Sequence, residues 1–189
     1  MKPATDLSKY NNSWYKQEIG ASVFKQVSWY FINILFFINP LVVGSGIKRF
    51  WLRLFGARLG RGVVLKPAIN IKYPWKLTIG DYSWVGEKVW IDNLADVTIG
   101  KHVCISQGAM LLTGNHNYSK PSFDLMVEGI VLEDGVWIGA QSMVCPGTYC
   151  KSHSVLTALS VVTKDMEPYT IYQGNPAVAV RQRVISDVL

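Results

Sequence analysis

The sequence predicts a β-solenoid of stacked hexapeptides, entered through a helical segment and closed by a strand and a short tail helix. Three observations carry this. Apolar residues recur every six positions at Leu132, Ile138, Val144, Cys150, Leu156 and Val162. The same frame runs upstream through Ile99, Ile105 and Leu111, through Ile79, Val85 and Ile91, and through Leu59, Leu65 and Ile71, the triplets starting 20 residues apart. That longer period is three hexapeptides plus two residues at one corner, and the sequence repeats with it: LTIGD at Leu77–Asp81, VTIGK at Val97–Lys101. Neither a helical period nor strand alternation produces a six-residue rule.

Residues 1–58 form a helical or interfacial segment. Trp29–Val43 is apolar apart from Asn33, Asn39 and Pro40. It is too short and too interrupted for a membrane span of ~20 residues. Lys48, Arg49, Arg53, Arg58 and Arg61 follow it. An apolar helix followed by cations suits a membrane interface, and it equally suits a helix packed on the fold or on a neighbouring subunit. Both readings stand on sequence alone. The Met1–Gly20 stretch is too polar for a cleavable signal peptide.

Residues 59–166 are the solenoid. Each hexapeptide makes a short strand and a turn, and three close one triangular coil. The spaced aliphatic residue points inward and stacks on its equivalents above and below. Four positions later come Val136, Ser142, Thr148, Ser154, Ser160 and Met166, mostly small or β-branched and suited to tight corners. Gly80, Gly86, Gly100 and Gly139 are expected to supply positive backbone angles there. One coil cannot bury its own inward side chain, so the ends need caps. The frame breaks once, after Leu111, in an insertion whose loop is residues 117–131. Such loops tend to carry function, and His116 stands at its start. In residues 167–189, Pro168 and Pro176 end the coils before the closing strand and helix.

Composition narrows the function. The 189 residues are 49% hydrophobic and 17% charged, with a net charge of +6. That balance calls for buried or subunit-paired apolar surface and favours an anionic ligand or an anionic membrane face. No nucleic-acid reader motif is present, so nucleic acid is not an expected partner. Cys104, Cys145 and Cys150 lack metal-site or disulfide spacing and read as buried thiols in a reducing cytoplasm.

The hexapeptide rule, TGNH at Thr113–His116, VWIG at Val136–Gly139 and SVVTKD…GNPA at Ser160–Ala177 resemble the hexapeptide-repeat acyltransferases. DLSKYNNSWY at Asp6–Tyr15, WIDNLADVTIG at Trp90–Gly100 and ISQGAMLLTGNHNYS at Ile105–Ser119 are most similar to the colanic-acid-biosynthesis acetyltransferase type, relatives of the maltose and galactoside O-acetyltransferases. The resemblance spans nearly the whole chain. It implies a left-handed parallel β-helix and a homotrimer with an active site in each cleft between subunits. Acetyl-CoA is the implied co-substrate, and a small-molecule or lipid-linked sugar of an exopolysaccharide or surface-glycan precursor the implied acceptor.

A hydroxyl is a poor nucleophile near neutral pH, and an imidazole is suited to take its proton. His116 matches the family's catalytic position, with direct transfer in a ternary complex. Asp92 and Asn93, one coil earlier, are candidates for the acceptor's hydroxyls, Asn93 alternatively being an inward amide that steadies a corner. Asn115 and Tyr118 assist from the loop, and Trp137 matches an aromatic near the pantetheine arm and acceptor. For CoA the pattern transfers onto Ala140, Ala158, Thr163, Lys164 and Arg181, with Arg183 as a further basic residue for the phosphates. The chain departs from the pattern at TALS (Thr157–Ser160), where GAGS is usual, and at Val178, where a second arginine is usual. His102 and His153 occupy the fourth place of a hexapeptide and read as exposed turn residues. The metal-binding hexapeptide enzymes need a closely spaced histidine pair, which is absent here, so no metal is expected. N-acylation of an amino-sugar nucleotide and a silent trimeric scaffold are the rival functions. The expected location is the cytoplasm, peripheral at the inner face of the cytoplasmic membrane if the apolar run meets lipid.

Overall fold

The computed structural model describes residues 4–186. It is a parallel β-helix of five coils and a partial sixth, preceded by helices. Each coil contributes one strand to each of three parallel sheets. Leu59 pairs with Ile79 and Ile79 with Ile99, and the next step runs from Ile99 to Leu132 across the insertion. The predicted inward column is real. Leu65, Ile71, Ile79, Val85, Ile91, Ile99, Ile105, Leu111, Leu132, Ile138, Val144, Cys150, Leu156 and Val162 are all buried, as are Val136, Ser142, Thr148, Ser154, Ser160 and Met166. Of the three cysteines only Cys150 is buried; Cys104 and Cys145 sit on outward strand or corner positions and are partly exposed.

The glycines work for a different reason from the one the sequence suggests. The positive backbone angles fall on the fourth residue of the hexapeptide, among them Tyr82, His102, Gln141, His153 and Leu159. Gly80, Gly86, Gly100 and Gly139 follow the inward residue and are not among them. They are required by close approach: a Cβ on Gly80 would lie 2.6 Å from the carbonyl of Gly100, and one on Gly139 2.4 Å from the Ala158 nitrogen. His102 and His153 are two of the left-handed corner residues. His102 is exposed, but His153 is half-buried, stacked on Tyr169 with ring centres 4.7 Å apart.

A solenoid's first coil presents unpaired backbone, and buried or edge polar groups must find partners. After a short first helix, α1 (Ser13–Glu18), helices α2 (Val23–Ile32) and α3 (Ser45–Leu54) supply them, α2 running on into a wider helical stretch at Asn33–Ile38. Trp29 Nε1 donates to the Ile71 carbonyl at 2.8 Å and Arg49 to the Val63 carbonyl at 2.7 Å. Ser45 Oγ both donates to and accepts from Leu65, and Arg53 donates to the carbonyls of Leu59 and Gly60. Trp29, Phe37 and Leu52 extend the apolar core over the open end. Lys48, one of the five cations that follow the apolar run, is buried, with its amine on the Val42 carbonyl. Burial lowers its pKa. Of the five cations, Arg49 and Arg53 thus cap this edge, while Arg58 and Arg61 are exposed. Among the described residues, no helix is long and apolar enough to cross a membrane.

At the other end, Thr170–Gly174 joins the sheet in parallel and turns back as the antiparallel strand Ala177–Gln182. The closing strand is present. The expected tail helix is replaced, through residue 186, by the second arm of this hairpin and an irregular end. Val178 and Val180 favour an extended backbone there.

Candidate active site

The two extra residues per coil enter at the corner after the third strand, and the long insertion enters at the same corner of the third coil. Tyr73, Asn93 and Thr113 hold equivalent places there. Asn93 is fully buried; its Oδ1 accepts from the Tyr73 amide at 2.9 Å and its Nδ2 donates to the Tyr73 carbonyl at 2.6 Å. The Thr113 hydroxyl donates to the Asp92 carbonyl and accepts from the Ala95 amide. Both polar ends of Asn93 are thereby consumed. It is the inward corner amide and not an acceptor-binding group, which corrects that assignment.

From this corner the insertion leaves as an antiparallel hairpin, Gly114–His116 against Leu125–Val127. His116 lies on its first strand, half-buried. Its ring stacks on Phe123 with centres 4.5 Å apart, and Nδ1 is 3.0 Å from the Phe123 carbonyl. A carbonyl only accepts, so Nδ1 carries the hydrogen, and in the neutral imidazole Nε2 carries the free lone pair. Phe123 has a positive φ of 51°, in a turn closed by its amide on the Lys120 carbonyl, and this aims its carbonyl at the ring.

A cavity of about 490 Å³ opens beside His116, lined also by Asp92, Lys72, Tyr73, Tyr10 and Tyr15. Asp92 Oδ1 lies 3.1 Å from Lys72 Nζ. The amine stands off regular hydrogen-bond geometry, so this buried oxygen has the ion pair but no hydrogen-bond partner. The Tyr15 hydroxyl donates to the Leu94 carbonyl at 2.8 Å. Burial, then the nearby Tyr73 and Asp92, pushes its pKa up, so it stays a neutral donor. Tyr73 is likewise raised, by burial first and then by Asp92. The N-terminal segment closes this wall: the Asp6 amide bonds the Pro121 carbonyl, and the Tyr10 ring sits 5.8 Å from His116. Sequence reading missed Tyr10, Tyr15 and Lys72. The DLSKYNNSWY motif was the available signal, since it was distinctive yet had no role.

The remaining candidates lie around this centre unevenly. Asn115 is exposed, its side chain capping the His116 amide; Tyr118 is exposed on the loop beyond. Neither lines the cavity. Trp137 is on another sheet face, Nε1 donating to Ser106 Oγ at 2.9 Å. Ala140 and Ala158 stack on one corner of successive coils, the Leu159 amide bonding the Ala140 carbonyl. Thr163 and Lys164 are exposed at the corner that carries the hairpin, two coils on. Arg181 is exposed on the last strand. Arg183 is not available as expected: its guanidinium donates to the carbonyls of Gly135 and His153 and clamps the tail.

The chain is a parallel β-helix of stacked hexapeptides, with a histidine-bearing hairpin thrown from one corner. No family model matches the chain. It is 38% identical over 165 residues to WcaF of Escherichia coli (strain K12), a protein named as a candidate colanic acid biosynthesis acetyltransferase, covering 87% of this chain and 91% of that one. The chain therefore belongs to the colanic-acid-biosynthesis acetyltransferase family and is an acetyltransferase. Galactoside O-acetyltransferase of the same strain is 28% identical over 129 residues, 67% of this chain and 64% of that one. In fold, the chain is similar to a hexapeptide-repeat acetyltransferase of Vibrio cholerae O1 biovar eltor complexed with acetyl coenzyme A (TM-score 0.79, 22% identity, 90% of this chain and 99% of that one). It is also similar to a maltose O-acetyltransferase of Clostridium difficile 630 (TM-score 0.74, 20% identity, 97% and 100%).

Proposed function

We propose that the protein transfers the acetyl group of acetyl-CoA to a hydroxyl of a sugar in an exopolysaccharide or other surface-glycan precursor, with His116 as general base. The observation that carries this is the Phe123 carbonyl on His116 Nδ1, which makes Nε2 the lone-pair nitrogen of the neutral ring, in a side chain that lines one cavity with Asp92. Nε2 takes the hydroxyl proton as the oxygen attacks the thioester carbonyl. The tetrahedral intermediate collapses with cleavage of the C–S bond, and the imidazolium returns its proton to the leaving sulfur. Products are an acetyl ester and CoA, with no acyl-enzyme and no metal in the scheme. Asp92, paired with Lys72 through Oδ1, accepts from the sugar hydroxyls through its carboxylate.

The co-substrate assignment draws on the relatives crystallised with CoA or acetyl-CoA. Ala158 and Thr163 are exposed and small, Ala140 stacks beside Ala158, and Lys164 and Arg181 are exposed cations suited to the phosphates. A homotrimer would bring the Trp137 face of one subunit toward the His116 corner of another, joining groups that one chain keeps apart. The reading is tested by CoA thiol release with a panel of saccharides, the product weighed by mass spectrometry. A sugar heavier by one acetyl group and labile to mild base is expected. Release of CoA with no acetylated sugar across the panel, or an amide product stable to base, refutes it.

A further inference from the structure

The stretch DLSKY, residues 6–10, folds against the insertion. Asp6 caps a single tight turn, Leu7–Lys9, its Oδ1 accepting from the Ser8 amide at 3.2 Å and from the Ser8 hydroxyl at 2.6 Å. The Tyr10 amide closes the turn on the Leu7 carbonyl at 3.1 Å. One turn is far too short to persist by itself, and the exposed Lys9–Asp6 ion pair adds little. Both ends of the turn are tied to the insertion instead. The Asp6 amide donates to the Pro121 carbonyl at 2.8 Å, and the Tyr10 ring lies 5.8 Å from the His116 ring, inclined by 53°. Beyond it, the Tyr15 hydroxyl anchors the segment to the coils through the Leu94 carbonyl. The segment is a strap laid from that corner across the hairpin.

Phe123 alone holds the imidazole loosely. Its ring stacks on His116 at 4.5 Å and 11°, and its carbonyl meets Nδ1, but both contacts come from one residue of a two-stranded hairpin. Such a hairpin is marginally stable by itself. Tyr10 supplies a second aromatic neighbour, at a different inclination and from a distant part of the chain. Ring centres at this separation are in favourable contact. Tyr10 also lines the cavity that His116 and Asp92 line, so its apolar ring takes the place of water beside the base. Aim matters there, since a misplacement of ~1 Å costs on the order of 10² in rate. A passive cover for the hairpin needs only the Asp6–Pro121 bond and gives no reason for an aromatic ring set against the histidine.

We propose that Tyr10 is a positioning residue for the base: the Asp6–Tyr10 turn straps the insertion and sets the Tyr10 ring against His116, holding the imidazole in one working orientation and limiting the water that reaches it. This rests on the reading of His116 as general base and adds the element that orients it. The effect belongs to the ring and not to the hydroxyl, so Tyr10→Phe keeps it and Tyr10→Ala loses it.

The test uses the full-length protein and an accepted saccharide. Tyr10→Ala should lower kcat about tenfold with the KM for acetyl-CoA unchanged, and Tyr10→Phe should restore the wild-type value. In a His116→Ala background the same Tyr10→Ala change should cost nothing further, because no base is left to position. Carbethoxylation of His116 by diethyl pyrocarbonate, followed on its peptide by mass spectrometry, reads the strap without turnover. Tyr10→Ala should speed it severalfold and Tyr10→Phe should leave it unchanged. Should the Ala variant melt early, Tyr10→Leu carries the comparison, since it keeps apolar bulk and lacks the ring; the same two changes are expected. Wild-type kcat, or an unchanged carbethoxylation rate, in the folded variant overturns the proposal. An equal loss in Tyr10→Phe overturns it too, by assigning the effect to the hydroxyl. So does an undiminished Tyr10→Ala loss in the His116→Ala background, which makes the contact purely structural. The two readings fail separately. A His116→Ala protein at nearly the wild-type rate removes the base, and the proposal with it. An inactive His116→Ala beside a Tyr10→Ala at wild-type kcat removes the strap's role alone.

Discussion

Asn93 shows what a corner residue does in this fold. Its amide replaces, for Tyr73, the backbone partner that the two-residue insertion displaces. Asn93→Leu removes both bonds and leaves a buried amide and carbonyl unpaired, at about 1–3 kcal/mol. The melting temperature should fall by several degrees, with Tyr73 and Asp92 losing their fixed places and acceptor KM rising. A Leu variant as stable as wild type would show that the corner repairs itself. Lys164 belongs to the surface and behaves differently: Lys164→Ala should raise the KM for acetyl-CoA more than it lowers kcat, and salt should narrow the difference. Unchanged CoA affinity by calorimetry would remove it from the nucleotide site. At this scale the sequence was legible where a residue type has one use. The place of His116 at the insertion was readable from its motif. Asn93 was not, because an amide serves a sugar and a corner equally well. Arg183 and Lys48 misled because a cation in sequence looks free, whereas their partners are backbone carbonyls far along the chain, which only the coil stacking brings near.

The hairpin from Gly114 to Val127 is an addition to a coil that closes without it. The first two steps of the solenoid take 20 residues and the third takes 33, at the same corner. Shortening the insertion by that difference, to a link like those in coils one and two, should leave the β-helix folded and abolish transfer. Circular dichroism and thermal melting check the first half, thiol release the second. A shortened protein that does not fold would mean that the hairpin helps close the core. The N-terminal segment is an element that sequence reading saw, with packing on the fold and contact with a membrane both left open. Its apolar helices were legible, but amphipathicity gives one buried face and cannot say what meets the other. Residues 6–15 seemed a mere family mark because their partners, Pro121, His116 and Leu94, lie 79 or more residues away. Tyr15→Phe keeps the ring and loses only the bond to Leu94. It should lower kcat severalfold through a loosened wall, with little change in stability; wild-type kinetics would make the wall passive.

The whole molecule is a stack whose repeat sets almost everything. A six-residue rule is visible in any single chain, and the coil, the inward column and the corner that carries the insertion all follow from it. The ends follow no repeat, and there the expectation failed: a hairpin stands where a tail helix was expected, and arginines cap an edge where free cations were. Assembly is the next level. Sedimentation equilibrium should give about three times the 21.2 kDa chain mass, as joining the Trp137 face to the His116 corner requires; an active monomer would break that picture. The central claim is that His116, with Nδ1 held by the Phe123 carbonyl, is the base for acetyl transfer. Its most direct test is single-turnover acetyl transfer from acetyl-CoA to an accepted saccharide by wild type and His116→Ala, at matched CoA occupancy and with matching circular dichroism. The account predicts a loss on the order of 10²–10⁴ in the rate of the chemical step. A folded, CoA-saturated His116→Ala protein that transfers acetyl at nearly the wild-type rate would contradict it.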